Sequence, residues 1–345
     1  MSDSSNNGHG LDLESLGTPA GGGSTGPKML VPLFLVPLLI VAVIVAIFLG
    51  VGSVVGTEKT VEDWMKEVET GGVNERWQAA ANLTDVALKQ PAQLDSPEIR
   101  ARLRALFTVD GPEDTRIRNW VAILWSSIGD AEAAPLLVAR IALVVDVLKA
   151  TDDRTTPVGQ AATTELINHM RALSKVGKGT VEEETVVLSA SKDGDSGIRT
   201  AAAAALGSIG RKAIVAGGAP SESLVAGLAT LHADGEAWVR MNAALSLAKC
   251  GRVEGLPTLE AMLDRAWLKS QRLSFPDDGH YSVDSFDPAA APIVSAIVAI
   301  DSIWSQNRIE AGSAATLRTA VEVAANDQNP AIQARAKELL KKLGS

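Results

Sequence analysis

Residues 199–210 read RTAAAAALGSIG, and this twelve-residue phrase recurs: Arg, two variable residues, Ala-Ala, two variable, Leu, two variable, Ile, Gly. A second copy starts at Arg240, with Ala243, Ala244 and Leu247, and closes on Cys250 and Gly251. A third starts at Arg118, with Val121, Ala122 and Trp125, and closes on Ile128 and Gly129. A fourth starts at Arg76, with Ala79, Ala80 and Leu83. A last starts at Gln333, with Ala336 and Leu340, and closes on Leu343 and Gly344. The starts at 76, 118, 199, 240 and 333 imply a period near 41 residues, with degenerate copies at Gly159 (Ala162, Leu166) and at Ile293 (Ala296, Ile300, Ile303). Seven units then share one period, with about 12 extra residues between the copies at 240 and 293.

The phrase has a physical reading. Its fourth, eighth and eleventh positions follow helical spacing and form one buried stripe. The alanine pair lets neighbouring helices approach closely, and the closing glycine is expected to end the helix in a left-handed cap. Asp114, Asp195 and Asn329, with Thr155 as a further candidate, stand where side chains accept from the free N–H groups of a first turn. Pro330 sits where proline is favoured. Second amphipathic stretches follow at 96–109, 131–149, 221–232, 256–268 and 315–325. One such helix pair cannot bury its apolar face alone, whereas stacked pairs share a continuous core.

Composition agrees. Hydrophobic residues make up 46 %, enough for a core, while aromatics are only 4 % and alanine abounds, which favours close-packed helices over sheets. A formal charge of −9 repels phosphate backbones and argues against nucleic acid. The single cysteine, Cys250, excludes an intramolecular disulfide and a cysteine zinc cluster; at a core position of its phrase it should be an inert thiol.

The phrase and period resemble HEAT repeats, of the short bacterial kind also seen in phycobilisome-lyase-like proteins. The resemblance covers roughly residues 60–344. It implies a curved α-solenoid whose second helices line a concave face, and it implies partner binding or scaffolding. It brings no catalytic residue. Chromophore-lyase activity is known in some relatives, but no pigment-handling motif stands in this sequence.

Ahead of the repeats, residues 1–28 are polar and low in complexity and read as a disordered tail. Residues 29–56 carry no charge and are long enough to cross a bilayer, which reads as one transmembrane helix preceding the all-α superhelix. Ala42, Ala46 and Gly50 share one face of that helix and suit close helix packing in lipid. Lys59 and Lys66 after it, against Lys28 before it, lean the large C-terminal part towards the cytoplasm.

The extra residues between 272 and 288 hold Phe275, His280, Tyr281 and Phe286, an aromatic concentration that suits partner contact, or else a loop that covers the solenoid side. Asp277, Asp278, His280, Asp284 and Asp287 match no metal-ligand spacing, so neither metal nor cofactor is expected. Arg100 and Arg104 share a helix face beside Arg102 and are candidates for an acidic partner, or else form a solvated face.

The resulting expectation is a membrane-anchored, non-catalytic interaction scaffold or assembly subunit. Its partners would be proteins, among them an integral membrane complex. A lyase-like enzyme, which predicts a deep pocket, and a purely structural spacer are the alternatives.

Overall fold

The computed structural model describes residues 59–108, 114–271, 287–306, 308–309 and 311–344. The described helices belong to one unit, Thr60–Ser345. Among the described residues there are fifteen α-helices, two short 3-10 turns and no strand.

The helices fall into two layers. One consists of α2 (Val73–Lys89), α4 (Asp114–Ile128), α6 (Pro157–Val176), α8 (Ser196–Val215), α10 (Ala237–Lys249), α13 (Ala290–Trp304) and α15 (Pro330–Leu343), each packed on the next. The other holds α1 (Val61–Thr70), α3 (Pro97–Thr108), α5 (Ala134–Lys149), α7 (Val181–Ala190), α9 (Glu222–His232), α11 (Leu256–Ala261) and α14 (Ala311–Ala325). The short α12 (Arg265–Ser270) follows α11. The phrase helices form the first layer, and most lean on the second-layer helix that precedes them: α1 on α2, α3 on α4, α5 on α6, α7 on α8, α9 on α10 and α14 on α15. Extensive packing is confined to near neighbours in this succession. This is an all-α solenoid of the HEAT/armadillo type.

The alanine pair explains how one helix serves two neighbours. On α10, Ala243 and Leu247 join the core shared with α8, while Ala244 and Ala248 join the core shared with α11 and α13. Adjacent residues on a helix point about 100° apart, so two small residues in succession let a neighbour close in on either side. Leu206, Leu247 and Ile300, each at the eighth position, are fully sealed. Truncating any of them to alanine would cost about 2–5 kcal/mol.

Capping sets the helix starts. Asp195 accepts from the Ile198 N–H at 2.9 Å and Asn329 from the Ala331 N–H at 3.0 Å. The cap of α6 is Thr156, accepting from the Gly159 N–H at 3.2 Å, because the neighbouring Thr155 is bound to Asp153 instead. α4 begins at Asp114 itself. Gly129 and Gly251 do close their helices in the left-handed region, at φ 69° and 68°. Gly210 does not: α8 runs on to Val215, and Gly210 lies buried where a Cβ would stand 2.5 Å from the Cys250 sulfur. Gly344, at φ −100°, is not a left-handed cap either.

The expected transmembrane helix must be corrected. Among the described residues no helix is long and apolar enough to cross a membrane. The longest, α6 and α8, have 20 residues each and carry Glu165, Arg171 and Lys175, or Arg199, Arg211 and Lys212. Charged side chains of this number suit a helix with one face on protein and one in water. Residues 29–56, with Ala42, Ala46 and Gly50, lie outside the described residues, as does the 1–28 tail. The single-pass membrane location, the cytoplasmic leaning and the integral membrane complex as partner have no support and are set aside.

Candidate partner-binding groove

The first residue of the phrase ties four of the units together. Arg76 Nε donates to the Val68 carbonyl at 2.7 Å. Arg199 donates to the carbonyls of Asp193 and Gly194 and forms a two-pronged pair with Asp234 of the next loop, at 2.7 and 3.0 Å. Arg240 repeats the carbonyl contacts on Asp234 and Gly235, and Gln333 Nε2 donates to the Asp327 carbonyl at 2.6 Å. Arg199, Arg240 and Gln333 thus clamp the loop ahead of their own helices, and Arg76 holds the last turn of α1. The planar fork of Arg suits several acceptors at once.

Arg118 departs from this pattern. It is buried, and its Nε donates to Glu165 at 3.0 Å, while Arg140 donates to the same carboxylate at 2.8 Å. Burial raises the Glu165 carboxyl, but Arg140 and Arg118 outweigh it and hold the group below the usual range. His169 lies one turn on, fully enclosed, with its ring 5.2 Å from that of Phe107. Burial keeps it neutral and lowers its pKa to about 4. A sealed imidazole of this kind packs the core and is out of reach of a substrate.

Arg100 and Arg104 both converge on Asp130, at 2.8 and 3.2 Å, and Asp130 is fully buried. Arg102 points elsewhere, to Glu62 and Glu69 at 2.7 and 2.6 Å. Arg100 also pairs with Asp95, so although Arg100 and Arg104 keep part of their side chains at the surface, two carboxylates balance their two charges within the fold. Phe275, His280, Tyr281 and Phe286 lie outside the described residues. Of the acidic residues around them, Asp287 is described. It pairs with Arg265 at 2.6 Å and accepts from Asn329 at 2.9 Å, which holds its carboxyl well below the usual range. Among the described residues no group of three or more His, Cys, Asp or Glu is arranged to hold a metal ion. Cys250 is buried, and burial pushes its thiol up to about 11.

A different surface stands out. A groove of about 610 Å³ runs across the phrase layer, lined from α6, α8, α10 and α13. Its walls follow the variable slots of the phrase. Asn242 and Ser295 occupy the third position, Leu245 and Val298 the sixth, and Ser208, Lys249 and Ser302 the tenth. Spacings of three and four put these slots on one face beside the buried stripe. Arg211, Lys212 and Lys249 supply positive charge, and among the described residues no Asp or Glu lines the groove. Lys212 is engaged: its ammonium donates to the Ser174 and Lys175 carbonyls at the C-terminus of α6, at 3.1 and 3.0 Å. Arg211 and Lys249 have no hydrogen-bond or ion-pair partner among the described residues. Desolvation, and then the charge of nearby Lys175, lower the Lys249 ammonium below its ordinary value. Sequence reasoning passed over these residues because they fill the slots that vary from copy to copy. The recoverable signal was that those slots form a stripe of their own.

No protein-family model and no curated protein matches the chain. Solved structures resemble it in fold. An engineered protein from the Northeast Structural Genomics Consortium is 18 % identical with a TM-score of 0.41, covering 83 % of this chain and 68 % of that one. A designed armadillo repeat protein is 15 % identical with a TM-score of 0.37, covering 83 % and 100 %. Human deoxyhypusine hydroxylase in complex with glycerol is 15 % identical with a TM-score of 0.31, covering 82 % and 84 %. At these scores nothing about activity or partners carries over, and the solenoid assignment rests on the helix arrangement itself. The narrower resemblance, to membrane-anchored bacterial HEAT proteins of the phycobilisome-lyase-like kind, is corrected accordingly: it finds no matching family and no membrane span among the described residues.

Proposed function

We propose that the chain is a non-catalytic scaffold that binds a protein partner along the phrase layer, in the groove between α6 and α13. The observation that carries this is the groove's lining. Val298, half exposed, and Leu245 offer apolar surface among hydroxyls and cations that no carboxylate of the lining neutralises. Stacked repeats characteristically present extended binding surfaces of this kind. The groove is broad and open, as a scaffold requires, where an enzyme of the lyase-like sort would call for a deep pocket with converging polar groups.

Affinity purification of the full-length chain tests the reading. A Leu245→Glu/Val298→Glu variant should lose a specific set of co-purified proteins that wild type recovers. Val323→Glu, on the exposed side of second-layer α14, should keep that set. Equal recovery by wild type and the groove variant would remove the reading.

A further inference from the structure

We infer that the groove takes an acidic, extended segment of a partner protein, whose carboxylates are received by Arg211 and Lys249. The inference rests on the scaffold reading and names the chemistry of the occupant.

Two observations converge. The first is local charge. The chain as a whole is at −9, and many of its cations are spent on internal pairs: Arg100 and Arg104 on Asp130, Arg102 on Glu62 and Glu69, Arg154 on Asp193, Arg199 on Asp234, Arg265 on Asp287 and Asp327. Among the described residues Arg211 and Lys249 escape this pairing, and Lys175 adds its field to Lys249 from beside the groove, whereas at Lys212 the Glu183 carboxylate outweighs it. Like charges gathered in a concave, partly desolvated place repel one another, and an incoming anion relieves that repulsion.

The second is length and pattern. The groove crosses four helices: serines line it from all four, cations from α8 and α10, and apolar side chains from α10 and α13. A lining spread over four successive helices suits a linear segment better than a compact small molecule. The interspersed Leu245 and Val298 suit the side chains of a peptide better than the bare phosphates of a nucleic acid strand.

The test uses the full-length chain and a fluorescein-labelled poly-glutamate peptide, read by fluorescence anisotropy. Binding is expected, weakening as salt is raised. Arg211→Glu/Lys249→Glu should weaken it by about a hundredfold, at about tenfold for each reversed charge. Arg211→Gln/Lys249→Gln should fall in between. Lys66→Glu/Lys269→Glu, on exposed residues of α1 and α12, should leave it unchanged. Far-UV circular dichroism confirms that each variant is folded. The inference is overturned if poly-glutamate does not bind, if a glycine-serine peptide of equal length binds as well, if the control variant loses as much as the groove variant, or if a poly-uridine strand binds more tightly than poly-glutamate. Partner loss in the Leu245→Glu/Val298→Glu variant together with no poly-glutamate binding would overturn the acidic occupant while leaving the scaffold reading intact.

Discussion

Ser246 on α10 lies directly over Gly207 on α8: a Cβ placed at Gly207 would stand 2.4 Å from the Ser246 hydroxyl oxygen and 2.8 Å from its Cα. One turn on, Gly210 and Cys250 stand in the same relation, at 2.5 Å from the sulfur. The absence of a side chain on α8 is what lets these two phrase helices approach so closely beneath the groove.

Gly207→Ala is therefore expected to destabilise the chain, although alanine favours a helix over glycine by about 1 kcal/mol. Overpacking against the backbone of α10 costs about 1–3 kcal/mol, which wins where neither helix can move away. A urea titration of the full-length chain should show a lower midpoint. A second substitution, Ser246→Gly, should recover part of the loss in a double-mutant cycle. A midpoint raised by Gly207→Ala would mean the helices are not in such close contact.

Removing the carboxylate shared by Arg118 and Arg140 should be far more damaging. In Glu165→Gln the buried Arg118 guanidinium loses its counter-charge, at a cost of about 3–5 kcal/mol. The same change at the exposed Glu254, paired with Arg252, should cost less than about 1 kcal/mol. Equal midpoints for the two variants would contradict the burial assigned to Arg118.

Acid should weaken the fold before most carboxylates titrate. The pKa of His169 is near 4 in the folded chain, against 6.5 for a free imidazole, so the unfolded chain binds the extra proton first. Stability is then complete above pH 6.5 and falls as pH drops through the window from 6.5 towards 4, by about 1.4 kcal/mol per pH unit. His169→Leu should flatten most of that slope between pH 6.5 and 5. An unchanged slope would show that the ring is not buried in the neutral form.

Cys250 should resist thiol reagents in the native chain and react at once when unfolded. Burial both covers the sulfur and raises its pKa to about 11, so little thiolate forms near neutrality. Iodoacetamide labelling followed by mass spectrometry, with and without urea, measures this directly. Rapid labelling without urea would contradict the packing of α10 on α8.

The layer of phrase helices was legible because its signal is periodic: Ala243, Leu247 and their equivalents recur at helical spacing, and the chain can bury such stripes only by stacking them. Other features were legible but unread. Thr60 with Asp63 and Thr180 with Glu183 form capping boxes that announce α1 and α7. The reading of 256–268 as one helix failed at Asp264, whose carboxylate caps a fresh helix by accepting from the Ala266 N–H at 2.8 Å. Gly210 was misread as a cap because its role is set by Cys250, forty residues on, and no local pattern carries that information. The groove was hidden for the same reason. Asn242 and Ser295, or Lys249 and Ser302, look unrelated in sequence and meet only once their helices lie side by side.

The central claim is that partners dock on the phrase layer. A photo-activatable cross-linker placed at Ser208 and, separately, at Ser302 tests it most directly, since both sit at the tenth position of their phrases and line one groove. Irradiation in cells should yield the same partner adduct from both sites and none from Val323 on α14. Adducts from Val323 alone, with Ser208 and Ser302 silent, would place the working surface on the other layer and contradict the account.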